Sequence, residues 1–219
     1  MLHKLGTLVV VLLYALADTD PATPVADKIF NEQDLSGWVV EGTKEYQDAG
    51  ETKPNWFVED GAIHCAGHGF GFLRFDRKLS DFRLSLEYRL AAKGNSGIGI
   101  RSVPFTGPAK TRPSFAGYEL QLLDDHGKPP TTKSTMSLYR YVAPTVSAAK
   151  PAGEWNEVEI ECRGPVIRIR LNGQQVQDVD QSMVEEIKAK PLVGFVSLQC
   201  HGSHVEFRNL TLETIGLRP

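Results

Sequence analysis

The sequence predicts an all-β fold: two antiparallel sheets packed as a sandwich, with one short helix. Three observations carry this reading. Several runs alternate apolar and polar residues with period two. The 20 glycines and 13 prolines mark frequent turns rather than long helices. A chain of 219 residues that is 41% hydrophobic has enough material for one sandwich core.

The clearest strand is 81–90 (DFRLSLEYRL). Phe82, Leu84, Leu86, Tyr88 and Leu90 share one face, and Arg83, Ser85, Glu87 and Arg89 share the other. Residues 155–162 alternate too, with Val158, Ile160 and Cys162 directed inward. Residues 166–171 and 174–179 flank Asn172-Gly173, a pair that favours the tight turn of a β-hairpin. Further strands are predicted at 55–64, 69–75, 97–102, 117–123, 193–199 and 205–214. Residues 181–190 (QSMVEEIKAK) read as the short helix. The long loops fall at 103–115 and 124–135, and loops on a rigid sheet are where specificity usually resides.

The N-terminus reads as a targeting segment. Lys4 precedes an apolar run at 8–16 that is too short to span a bilayer, and Ala15-Leu16-Ala17 fits a small-residue cleavage site. The expected organisation is a signal peptide at 1–17, a linker at 18–27 and one domain at 28–219. The mature protein is expected to be exported, periplasmic or extracellular, without an integral membrane segment. Net charge is −3 with no basic field, which argues against nucleic acid as a partner. Cys65, Cys162 and Cys200 are an odd number, so any internal disulfide leaves one thiol over. None has a neighbour at zinc-ligand spacing. His64 and His68 are isolated and read as structural or solvent-facing.

Several strands place polar residues on alternate positions, so that Glu119, Gln121, Arg101, Gln199 and His201 are candidates for one groove. A solvated sheet face has the same pattern. Glu157, Glu159 and Glu161 echo the paired-carboxylate strand of laminarinase-type glycosidases, but alternating Glu is also what an exposed face looks like.

The chain resembles the 3-keto-disaccharide hydrolase domain family. The motifs run from Ile29-Phe30-Asn31 and Asp34-Leu35-Ser36-Gly37-Trp38 to Val205-Glu206-Phe207-Arg208-Asn209. Between them stand Trp56-Phe57-Val58-Glu59-Asp60-Gly61, Gly94-Asn95-Ser96-Gly97, Gly117-Tyr118-Glu119-Leu120-Gln121, Leu138-Tyr139 and Gln199-Cys200-His201-Gly202. The resemblance implies a concanavalin A-like jelly roll and a carbohydrate ligand already oxidised at C3. It implies catalytic roles for Glu119, His201 and Arg101 and substrate contacts from Asn95, Gln121, Tyr139 and Gln199. A divalent cation could polarise the sugar oxygens, but no ligand set for one is identified. Two departures stand out: Cys200 where the family often has Asp, and Met136 where it often has Gly at the expected pocket edge. The alternative function is a non-catalytic carbohydrate-binding module, since fold does not fix function.

Overall fold

The computed structural model describes residues 26–216, so the expected leader and nearly all of the expected linker lie outside the described residues. Strands follow in chain order: β1 (Asp27–Lys28), β2 (Trp38–Gly42), β3 (Glu45–Asp48), β4 (Glu51–Pro54), β5 (Trp56–Glu59), β6 (Ala62–Cys65), β7 (Phe70–Phe75) and β8 (Phe82–Leu90). Next come β9 (Asn95–Ser102), β10 (Tyr118–Leu123), β11 (Asn156–Arg163), β12 (Val166–Leu171), β13 (Gln174–Asp180), β14 (Phe195–His201) and β15 (Val205–Thr214). The back sheet has eight strands, ordered β13-β12-β11-β8-β15-β6-β5 with β1 also on β15. The front sheet has five, ordered β10-β9-β14-β7-β2. β3 and β4 form a separate hairpin.

The alternation seen in the sequence is realised as burial. Phe82, Leu84, Leu86, Tyr88 and Leu90 of β8 are all buried, as are Val158, Ile160 and Cys162 of β11. They meet Ile98, Ile100, Leu120, Leu122, Val196 and Leu198 of the front sheet in one core. Asn172 and Gly173 both have positive φ, 52° and 78°, as a two-residue hairpin turn between right-twisted strands requires.

The helix expected at 181–190 does not form. Gln181–Met183 is a single 3₁₀ turn, followed by further turns. The buried Gln181 amide donates to the carbonyls of Ile187 and Lys190, so the segment wraps around its own first side chain, and Pro191 follows. Among the described residues the one short α-helix is instead α1 (Pro113–Ala116), at the end of the expected loop, with Pro at its first position.

Arg101 also departs from expectation. Strict alternation would put it on the groove face. However, Phe195 pairs with Ser102 while Ser197 pairs with Gly99, so β9 has one residue more than β14 across this step. That bulge, with Arg101 at φ 52°, re-aims the side chain inward. Arg101 is 1% exposed, and its guanidinium donates to Gln181 Oε1 (3.0 Å) and the Gly164 carbonyl (2.6 Å).

Candidate functional site

The outer face of the front sheet carries a groove of about 110 Å³. Register explains its floor. Glu119 lies opposite Gly99 and Gln121 opposite Gly97, while Ser197 lies opposite Gly99 on the other side. On β14 and β7, Gln199 pairs with Phe72 and His201 with Phe70. Two strands of polar side chains thus flank a strand that offers glycine at 97 and 99 between them. A Cβ built on Gly97 would stand 3.1 Å from Glu119 Cγ and 3.4 Å from Gln199 Oε1. The floor is deep because no side chain fills it.

The walls come from loops. Tyr139 is placed by its backbone N–H, which donates to the Glu119 carbonyl (2.9 Å) as residues 136–142 run along the edge strand β10. The 103–116 segment supplies Arg112 and Ser114. Phe105 of this segment packs on Phe70 and Phe72, and its N–H donates to Glu41 Oε2 (2.8 Å). Glu41 in turn pairs with Arg74 at 2.6 Å, both side chains only 9% exposed, so the loop is tied to a buried ion pair.

The groove therefore unites Asn95, Glu119, Gln121, Tyr139, Gln199 and His201, six of the seven residues the sequence proposed. Arg101 is the exception. In its place stand Arg112 and Arg140, which the sequence reading missed. Neither takes part in an ion pair among the described residues. Arg112 lies over the Phe70 ring (4.5 Å), and Arg140 over Phe115 (4.5 Å) and Tyr139 (5.2 Å). Both sit in irregular segments, where period two says nothing about direction.

Burial raises the Glu119 carboxyl above its ordinary range, against opposing hydrogen bonds from Gln199 and Ser114 and the charge of Arg140. Such a group binds a proton more readily than a surface glutamate. Gln199 Oε1 and Arg112 Nε are buried without a partner, so the groove holds unspent hydrogen-bonding capacity. At the rim, Asn95 Nδ2 donates to His201 Nδ1 (3.2 Å). That bond makes Nδ1 the acceptor and leaves the proton of a neutral ring on Nε2. Ser203 locks this corner, its hydroxyl bridging the Asn95 N–H and carbonyl at 2.8 Å each.

The two departures from the family pattern lie away from the groove. Cys200 points into the core, where Asn55 Nδ2 donates to its sulfur (3.4 Å). Met136 is fully buried with φ 63°, a backbone conformation that glycine takes without strain, so it does not form the pocket edge.

A larger depression of about 430 Å³ lies on the outer face of the back sheet, lined by Arg83, Glu159, Glu161, Arg168 and Arg170 among others. Glu161 is held by Arg83 (2.7 Å) and Arg168 (3.3 Å), and the Arg83 bond lowers its pKa. A retaining glycosidase needs one carboxyl raised as the acid. Glu161 is therefore a charge-paired group on an outer face and does not supply the raised acid of that reading.

A curated 3-keto-disaccharide hydrolase from Bacteroides thetaiotaomicron is 27% identical over 230 residues, covering 85% of this chain and 77% of that protein. A crystal structure from Parabacteroides distasonis, provisionally assigned as a glycosyl hydrolase, superposes with a TM-score of 0.70 at 23% identity, covering 86% of this chain and 93% of that one. A carbohydrate-binding module from Bacillus subtilis shares the fold more distantly, with a TM-score of 0.52 at 15% identity over 81% of this chain and 95% of that one. Among the described residues, no helix is long and apolar enough to cross a membrane. With a model for the 3-keto-alpha-glucoside-1,2-lyase-like domain matching residues 26–213, the chain belongs to that carbohydrate-active family.

Proposed function

We propose that the protein cleaves the glycosidic bond of 3-keto-glycosides in the front-sheet groove, by elimination across C1–C2 followed by hydration. The observation that carries this reading is Glu119: a buried carboxyl with raised proton affinity, free of a direct ion pair, facing two arginines. A C3 ketone acidifies the neighbouring C2 hydrogen. Glu119 takes that proton, and the C2–H electron pair becomes an enolate with its charge on the C3 oxygen. Arg112 and Arg140 supply the positive field for that oxygen. The enolate re-forms the ketone as a C1–C2 double bond appears and the C1–O bond breaks. The departing oxygen takes a proton from His201 Nε2 or the Tyr139 hydroxyl. Water then adds across the double bond, its hydroxyl to C1 and its proton to C2, giving the 3-keto-sugar.

The family description supports a lyase-type first step, and the relative's name supports a 3-keto-disaccharide as substrate. The leader-like segment at 1–17 supports action outside the cytoplasm. The test is product analysis by NMR in heavy water with a 3-keto-glucoside, corrected for spontaneous exchange beside the ketone. Deuterium at C2 is expected in the product. Glu119→Gln should slow turnover by roughly 10²–10⁴-fold. Binding without turnover by the wild-type protein would favour the carbohydrate-binding module instead.

A further inference from the structure

We propose that His64, His204 and Glu206 form a zinc(II) site on the outer face of the back sheet, outside the groove. His64 (β6) and Glu206 (β15) are directly opposite each other in register, on the face of the back sheet turned away from the core. His204 comes from the turn that leads into β15. One donor atom from each residue lies within 4.8 Å of the other two.

The donors are oriented before any ion arrives. His64 Nε2 stands 3.2 Å from the Glu59 carbonyl, an acceptor only, so that nitrogen carries the proton. His64 Nδ1 therefore presents a lone pair, and it lies 3.3 Å from His204 Nε2. Two ligands held about 2.0–2.1 Å from zinc at tetrahedral angles stand about 3.3–3.4 Å apart, so the two nitrogens already span such an edge. Fixing a ligand histidine through its other nitrogen is the usual support in metal sites. Phe57 stacks on the His64 ring at 5.1 Å, which limits its rotation.

Glu206 completes the set. Arg89 directs both of its hydrogen bonds to Glu206 Oε2. Oε1 is left on the side of His204; its 3.8 Å distance is to Nδ1 of that ring, the nitrogen other than the Nε2 that faces His64. Two imidazoles and one carboxylate oxygen suit zinc better than calcium or magnesium, which favour all-oxygen shells. Three protein ligands leave a fourth position for water. An ion here would join β6 to the turn at 202–204, the turn that also carries the Ser203 clamp on Asn95 and follows His201.

The experiment uses untagged protein stripped with chelator, then titrated with zinc sulfate by calorimetry and by thermal unfolding. One zinc per chain should bind with a micromolar or tighter Kd and raise Tm. His64→Ala and His204→Ala should each weaken binding by about 100-fold or more and abolish the Tm rise, while His126→Ala leaves both intact. Circular dichroism of metal-free His204→Ala should match wild type, because its side chain is partly exposed. Cobalt(II) in the same site should give the intense visible bands of a tetrahedral complex, absent in His204→Ala. Uptake well below one zinc per chain, or unchanged affinity in both histidine variants, overturns the proposal.

Discussion

Glu119 holds its place at the expense of stability. Its folded-state pKa lies above the ordinary value of 4.5, so folding the ionised form is unfavourable relative to a surface glutamate. That penalty is full above the raised pKa. It is relieved as pH falls through it and is gone below the unfolded value. Glu119→Gln should therefore raise stability at pH 7 by roughly 0.5–2 kcal/mol while removing activity, and the gain should vanish near pH 4, as denaturation at both pH values would register. Wild-type turnover should fall as pH drops through the raised pKa, because the base must be ionised. Arg101 gives the opposite signature. Arg101→Met removes two charged hydrogen bonds in the core, each worth about 1.5–3 kcal/mol. Stability should drop, while kcat per folded molecule stays near wild type. A matched loss of kcat at full stability would return Arg101 to the chemistry. The sequence named Glu119, Gln121, Gln199 and His201 because period two holds from residue 118 to 123 and again from 196 to 201. It misplaced Arg101 because a bulge inserts one residue and inverts every inference beyond it.

Strand β9 is where element and site meet. It contributes Gly97 to the floor, while Gly99 lets Ser197 and Pro113 close over the strand: a Cβ there would fall 2.3 Å from Ser197 Oγ and 2.8 Å from Pro113 Cγ. These glycines serve close packing, not a left-handed backbone. Gly97→Ala should leave the fold intact and push Glu119 and Gln199 apart, lowering kcat/KM by roughly 10²-fold, with unchanged circular dichroism. The longer strands were legible because each buried face repeats over six or more residues, but 55–64, read as one strand, is the hairpin of β5 and β6, and the short strands β1 to β4 carry too little alternation to be foreseen. The 103–116 segment was legible as a long loop and as a place for specificity, but not in its conformation. Its path depends on Phe105 meeting Phe70 and Phe72 and on a buried Arg74–Glu41 pair, contacts between residues about 30 apart in the chain. The misread 181–190 helix has the same cause: a long-range partner, here Arg101, captured Gln181.

At the scale of the molecule, the two sheets share one core, and all three cysteines lie within it as free thiols. The Cys65 thiol, on the back sheet, is influenced by that of Cys200 on the front sheet, which together with burial pushes the Cys65 pKa up. None of the three should react with a thiol reagent in the native protein, and all three should label together once the sandwich opens, so labelling kinetics read global unfolding. Rapid modification of Cys65 or Cys200 under native conditions would mean the sheets separate locally at that end. The two sheets enclose one core, while the groove lies on the outer face of the front sheet. The space above Gly97 is bounded by Glu119 and Gln199, so one methyl group there meets the groove's own polar side chains. The chemistry proposed for the groove can thus be lost to a single methyl group on the outer face while the sandwich persists.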